Sequence, residues 1–282
     1  MARTIVSVEE LGRHLGDSRW VIVDCRHSLQ DFSAGRRLYD EGHIPGAFFA
    51  SVETDLAGPK TGKNGRHPMP DAQNFAAFLR VLGVNSDSQV VAYDAGADMF
   101  AARFWFLCKY VGHDEVAILD GGFAAWSAAG KPVVQEEPAR PNTGNIQPNP
   151  RNDLIVDADA VMASLERKDF RLLDARGADR FAGQNETIDP VAGHIPGALN
   201  RPFKENFTPS GVLKAPEQLR AEFQKIGVAP ERLVHQCGSG VSSAVNLLAM
   251  EVAGVTGSRL YPGSWSEWIA DPARPVETGA PT

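Results

Sequence analysis

The segment EGHIPGA at Glu41–Ala47 returns as AGHIPGA at Ala192–Ala198, with six identities in seven positions. Self-similarity of this kind means that one folding plan is used twice, which limits the possible architectures more than any bulk property. The surroundings repeat as well. Upstream lie VIVDCR (Val21 to Arg26) and RLLDAR (Arg171 to Arg176), apolar strands closed by Asp and Arg. Downstream lie QVVAYDAGADMFAARFWFL and RLVHQCGSGVSSAVNLLAM, each a short apolar strand, a turn of small residues and a long apolar helix. The copies close with LDGGFAAW (Leu119 to Trp126) and LYPGSWSEW (Leu260 to Trp268). Because the order of elements agrees in both halves, the chain reads as a duplicated domain.

Within each half, helices and strands alternate. SVEELGRHLG predicts an opening helix, DAQNFAAFLRVLG a second, and EVAIL a late strand. Continuously apolar strands separated by helices belong to parallel sheets covered on both faces, so the expected class is α/β. A chain of 282 residues is long enough for two such domains. Between the halves, KPVVQEEPARPNTGNIQPNPRND is dense in Pro, Asn and Gly, as an extended linker should be. The expected division is residues 1–135, a linker at 136–153, and residues 154–282.

The composition excludes several classes of function. Hydrophobic residues make up 43% and charged residues 22%, a soluble globular balance. With 28 basic against 35 acidic residues the net charge is −7, and no Lys/Arg-rich run is present. Nucleic acid and acidic membranes are therefore poor partners, and a small diffusible substrate is the better expectation. No stretch of ~18 consecutive apolar residues occurs, and the N-terminus does not read as a signal peptide, so the expected location is cytoplasmic. The three cysteines, Cys25, Cys108 and Cys237, are an odd count, widely spaced, without CxxC or zinc-like histidine spacing. Neither a disulfide framework nor a metal site is expected.

The two strand-to-helix turns differ in chemistry. Aligning Tyr93-Asp94-Ala95 with Gln236-Cys237-Gly238 sets Asp94 opposite Cys237. Ligands of open parallel sheets bind at the carboxyl ends of strands, where both residues are expected. Only the second copy can act through sulfur. Gly238 and Gly240 allow a tight turn whose N–H groups form an anion-binding nest, and the following helix adds its positive end. Such a setting lowers a thiol pKa and raises the thiolate fraction. The alternative is a buried inert cysteine beside a glycine turn. A cysteine phosphatase would need an arginine six places after its cysteine, where this chain has Ser243. Cys108, inside an apolar helix, and Cys25 read as structural.

These residues resemble the tandem-domain rhodanese-like sulfurtransferases over nearly the whole chain. The two GHIPGA segments, the CGSGVS loop and YPGSWSEW carry the resemblance. It implies two rhodanese-like domains, each a mainly parallel sheet flanked by helices, the first inactive. The second would hold a cysteine that accepts sulfane sulfur as a persulfide and passes it on. Loops of the CGSGVT type are similar to those of 3-mercaptopyruvate sulfurtransferases, and Ser242 keeps the hydroxyl of that Thr. Thiosulfate is a dianion that a loop without cations stabilises poorly, whereas mercaptopyruvate leaves as an enolate that needs a proton.

Further roles follow from the resemblance. Cys237 is the nucleophile, and Ser239 belongs to a proton relay with His67 of GRHPMP and with Glu53, where the family usually has Asp. The loop residues Gly238, Gly240, Val241 and Ser242 bind the donor, and Arg180 of DRF grips its carboxylate. A second carboxylate arginine usually lies seven places before the histidine of GHIPGA; this chain has Thr187 there, leaving a single arginine. Arg176 is expected to hold the strand end, and His43 and His194, present in both halves, to be structural. Trp265 and Trp268 fit either a pocket cover or the core. The implied partners are a small-molecule sulfur donor and a thiol acceptor such as thioredoxin or glutathione, or cyanide. No cofactor is required. The alternatives are a thiosulfate:cyanide sulfurtransferase and, from another class, a non-catalytic sulfur-carrier or anion-binding module.

Overall fold

The computed structural model describes residues 4–280. The first compact unit runs to Gly58 and includes Pro70–Arg151 and Phe207–Leu213; the second takes Pro59–Met69, Asn152–Asn206 and Lys214 onward. The division expected from sequence treats each domain as one continuous stretch, whereas the compact units exchange two short strips. Pro59–Met69 joins the second unit because its polar groups bond there: Arg66 N–H donates to Ser266 Oγ at 3.0 Å. Phe207–Leu213 joins the first, where Leu213 N–H donates to Asp120 Oδ1 at 2.9 Å.

The first unit contains β1 (Ile5–Val6), α1 (Val8–Arg13), β2 (Trp20–Asp24), α2 (Ala34–Glu41), β3 (Ala47–Phe49), α3 (Ala72–Val81), β4 (Gln89–Tyr93), α4 (Phe100–Tyr110), β5 (Val116–Leu119) and α5 (Gly122–Ala128). Its sheet has the order β1-β5-β4-β2-β3, every pair parallel. β2 and β4 lie inside the sheet, which is why Val21, Val23 and Val90–Tyr93 form almost unbroken buried runs. Side-chain caps start α1 and α3: Ser7 accepts from Glu10 N–H, and Asp71 from Gln73 and Asn74 N–H.

The second unit contains α6 (Ala158–Arg167), β6 (Arg171–Asp174), α7 (Ala178–Phe181), β7 (Leu199–Asn200), α8 (Pro216–Gln224), β8 (Leu233–Gln236), α9 (Ser243–Val252), β9 (Arg259–Leu260) and α10 (Ser264–Trp268). Its parallel sheet runs β7-β6-β8-β9, and Ile155 makes a parallel bridge to Leu260, as β1 does to β5 in the first unit. The α/β class and the repeated plan are as expected. The short β3 and β7, and α2 with its sparse apolar pattern AGRRLYDE, were not legible from periodicity.

The repeated residues build the same brace twice. Arg26 bonds Asp24 at 2.6 Å and Gly42 O at 2.6 Å; Arg176 bonds Asp174 at 2.7 Å and Gly193 O at 2.8 Å. Both arginines are buried, so each charge is held by a partner rather than by water. His43 Nδ1 donates to Tyr39 O and stacks on the Tyr39 ring, and His194 Nδ1 does the same with Phe181. The GHIPGA histidines therefore tie the repeat to its own helix. No helix of the described residues is long and apolar enough to cross a membrane.

Candidate active site

β8 delivers Cys237 to the carboxyl end of the second sheet, and the loop from Gly238 to Ser242 leads into α9. Gly240 adopts φ +74°, and a Cβ there would collide with the Pro262 carbonyl. The closing motif YPGSWSEW clasps this loop. Cys237 N–H donates to Ser264 Oγ at 3.1 Å, Trp265 N–H to Cys237 O at 3.0 Å, and Ser266 N–H to Gly238 O at 2.9 Å. Ser264 Oγ in turn donates to Tyr261 O. The turn is thus fixed by its own backbone and by a second strand-to-helix turn beside it.

The three cysteines separate by environment. All are buried and free. Burial pushes the thiols of Cys25 and Cys108 well above their ordinary value. Burial also acts upward on Cys237, but the hydroxyls of Ser242 and Ser243 and the N–H groups of Ser239 and Ser243 outweigh it and bring the thiol below its ordinary value. Ser243 Oγ donates to Cys237 Sγ at 3.5 Å, so the position that would carry a phosphatase arginine stabilises sulfur with a hydroxyl.

The first unit repeats the loop frame around a different group. Phe123 N–H donates to Asp94 O and Ala124 N–H to Ala95 O, matching the bonds that Trp265 and Ser266 make to Cys237 and Gly238. Asp94 thus occupies the cysteine's place, as the alignment of the turns expected. Its carboxylate accepts from Gly96 N–H at 3.1 Å and Ala101 N–H at 3.0 Å. The donors that would face an incoming anion are filled by the chain's own carboxylate. Burial nevertheless raises that carboxyl, and the N–H bonds offset the rise only in part.

Within the second unit, His67 Nδ1 and Ser239 Oγ are 2.8 Å apart, both side chains buried. Glu53 belongs to the first unit and lies 3.9 Å from His27 Nε2. Arg180 lies beside the loop but is held by carboxylates: it forks onto Glu186 at 2.9–3.2 Å and reaches Asp189 at 3.2 Å. A second guanidinium, Arg66, pairs with Asp189 from the other side. A Cβ added to Gly238 would lie 2.8 Å from Arg66 Nη2 and 3.7 Å from Arg180 Nη2. Two guanidiniums therefore border the loop, where the sequence pointed to Arg180 alone. Arg66 comes from a strip far away in sequence, which a count of basic residues after Cys237 does not detect.

Trp265 and Trp268 are fully buried members of the core and donate to Val191 O and Pro275 O. Sequence reasoning missed Arg66, Asp189, Glu186 and Ser264; only the immediate neighbourhood of His67 in GRHPMP offered a signal for the first. Among the described residues, no group of three or more His, Cys, Asp or Glu is arranged to hold a metal ion.

The rhodanese-like domain family matches residues 7–129 and 157–271. The chain is 46% identical over 280 residues to a probable 3-mercaptopyruvate sulfurtransferase of Pseudomonas aeruginosa, covering 98% of each. It is 38% identical over 261 residues to a putative thiosulfate sulfurtransferase of Mycobacterium tuberculosis, covering 92% of this chain and 90% of that one. The solved 3-mercaptopyruvate sulfurtransferase of Leishmania major superposes with TM-score 0.84 at 30% identity, covering 94% of this chain and 74% of that one. Matched in both repeats and over nearly its full length, the chain belongs to the rhodanese-like sulfurtransferases.

Proposed function

We propose that the chain takes sulfur from 3-mercaptopyruvate through Cys237. The thiolate attacks the donor sulfur, the C–S bond breaks, and its electron pair leaves with the carbon as the enolate of pyruvate. Ser239 supplies the proton that the enolate needs and is recharged through His67. The persulfide anion left on Cys237 faces the loop amides and the Ser242 and Ser243 hydroxyls until an acceptor thiolate, or cyanide, takes the outer sulfur. Thioredoxin and glutathione are acceptors of fitting chemistry. Glu53 is retained as the acid behind His67 on the strength of the family resemblance. The first domain, with Asp94 filling its own loop, is assigned no sulfur chemistry, and residues 136–153 serve as the linker. Three free cysteines fit a reducing compartment such as the cytoplasm.

The observation that carries the choice of donor is the hydrogen bond between His67 and Ser239. A proton relay suits a carbanion leaving group, whereas sulfite leaves thiosulfate without needing one. The charge beside the loop agrees: Arg66 and Arg180 are matched by Asp189 and Glu186, a balance that favours a monoanion over a dianion. Thiosulfate remains the second reading, favoured by the presence of two guanidiniums and by the relative of that name. Measuring kcat/KM for both donors on one preparation decides between them. Higher kcat/KM for mercaptopyruvate is expected; the reverse order, or no pyruvate release, overturns the donor assignment, and no turnover of either donor with any acceptor would indicate a non-catalytic module.

A further inference from the structure

Two guanidinium groups beside the cysteine loop keep hydrogen-bond donors that no described residue uses. Arg66 spends its backbone N–H on Ser266 and Nη1 on Asp189, leaving Nη2 and Nε. Arg180 spends Nε and Nη2 on Glu186 and Asp189, leaving Nη1. Their side chains are 30% and 20% exposed, so the remaining donors can be reached from solvent. Asp189, itself 2% exposed, lies between the two and sets their spacing. The absent side chain of Gly238 provides the room, since a Cβ there would press on Arg66 Nη2.

We propose that Arg66, acting with Arg180, binds the anionic end of the sulfur donor. Arg66 would replace the arginine missing at Thr187, reaching the same loop from the GRHP strip instead of from the segment before GHIPGA. The strip is pinned for this task. Gly65, at φ +82°, packs its Cα against the Gly263 carbonyl so closely that a Cβ would lie 2.9 Å from that oxygen. Its two consecutive side chains then divide the work: Arg66 faces Gly238 and His67 faces Ser239. The assignment rests on the proposal that Cys237 accepts sulfur from an anionic donor, but not on which donor it is.

The test measures KM and kcat for 3-mercaptopyruvate with Arg66→Ala and Arg66→Lys. It also follows the high-pH plateau rate at which Cys237 reacts with uncharged methyl methanethiosulfonate. Loss of a charge-assisted bond predicts that Arg66→Ala raises KM about 10- to 100-fold with the neutral plateau unchanged, and that Arg66→Lys recovers part of the loss. A KM within about twofold of wild type overturns the assignment. So does a parallel fall of the neutral plateau, which would make Arg66 a general support of the loop. If the wild type releases no pyruvate, the donor assignment alone fails, and the same comparison of KM for thiosulfate, also an anion, decides the role of Arg66.

Discussion

His67 Nδ1 and Ser239 Oγ, 172 positions apart in sequence, stand 2.8 Å apart two residues beyond Cys237. The pair puts a buried hydroxyl and a buried imidazole next to a thiol whose pKa is lowered. Ser239→Ala or His67→Ala should slow mercaptopyruvate turnover by about 10²-fold, the usual yield of positioned proton transfer. Thiosulfate turnover should change far less. Steady-state kinetics on both donors checks this, and equal losses would remove the relay.

The Cys237 thiol should titrate below an ordinary thiol, and Ser243→Ala should move it back up, since the variant deletes a donor to the thiolate. With a lowered pKa, reactivity persists as pH falls and is lost only below that pKa. The variant should lose it at higher pH. The pH dependence of Cys237 alkylation reads this directly; coincident profiles would show that the hydroxyl does not stabilise sulfur.

Gly240 is held at φ +74° against the Pro262 carbonyl. Gly240→Ala combines a left-handed backbone with a clash against rigid main chain, a cost of about 1–3 kcal/mol for the conformation alone. The loop is expected to open, with Cys237 alkylation at neutral pH falling at least as far as in Ser243→Ala. Unchanged reactivity would show that the turn does not aim its amides at sulfur.

His235, fully buried in β8 with neither ring nitrogen hydrogen-bonded, has its pKa driven down to about 3 by burial, assisted by the charge of Arg201. Unfolded, it titrates at the ordinary histidine value, so the unfolded chain takes up a proton that the folded one refuses. Its contribution is present above about pH 6.5 and is lost as pH falls toward 3, amounting to about 2 kcal/mol by pH 5. His235→Leu should therefore lose less stability than wild type between about pH 7.5 and 5, measured by urea unfolding. Identical losses would contradict a buried neutral ring.

The repeated segments made the architecture legible because each recurring residue does the same job twice. Asp24 with Arg26 and Asp174 with Arg176 close corresponding strands, and the paired glycines accept the corresponding bonds. Aligning Asp94 with Cys237 was possible for the same reason. Contacts that the second repeat receives from a distant strip were not legible. Arg66 sits among prolines and glycines, where no periodicity points it anywhere, and its pairing with Asp189 arises only because Pro59–Met69 folds with the second unit. Ser264 was hidden similarly, its hydroxyl meeting the Cys237 N–H through a turn with positive φ at a non-glycine residue.

The central claim is that sulfur passes through Cys237. Intact-mass analysis after incubation with 3-mercaptopyruvate and no acceptor tests it most directly. The expected product is a chain one sulfur atom heavier, with one pyruvate released per chain, the added mass lost on adding a thiol and absent in Cys237→Ser. Pyruvate release without added mass, or added mass that survives Cys237→Ser, would contradict the account.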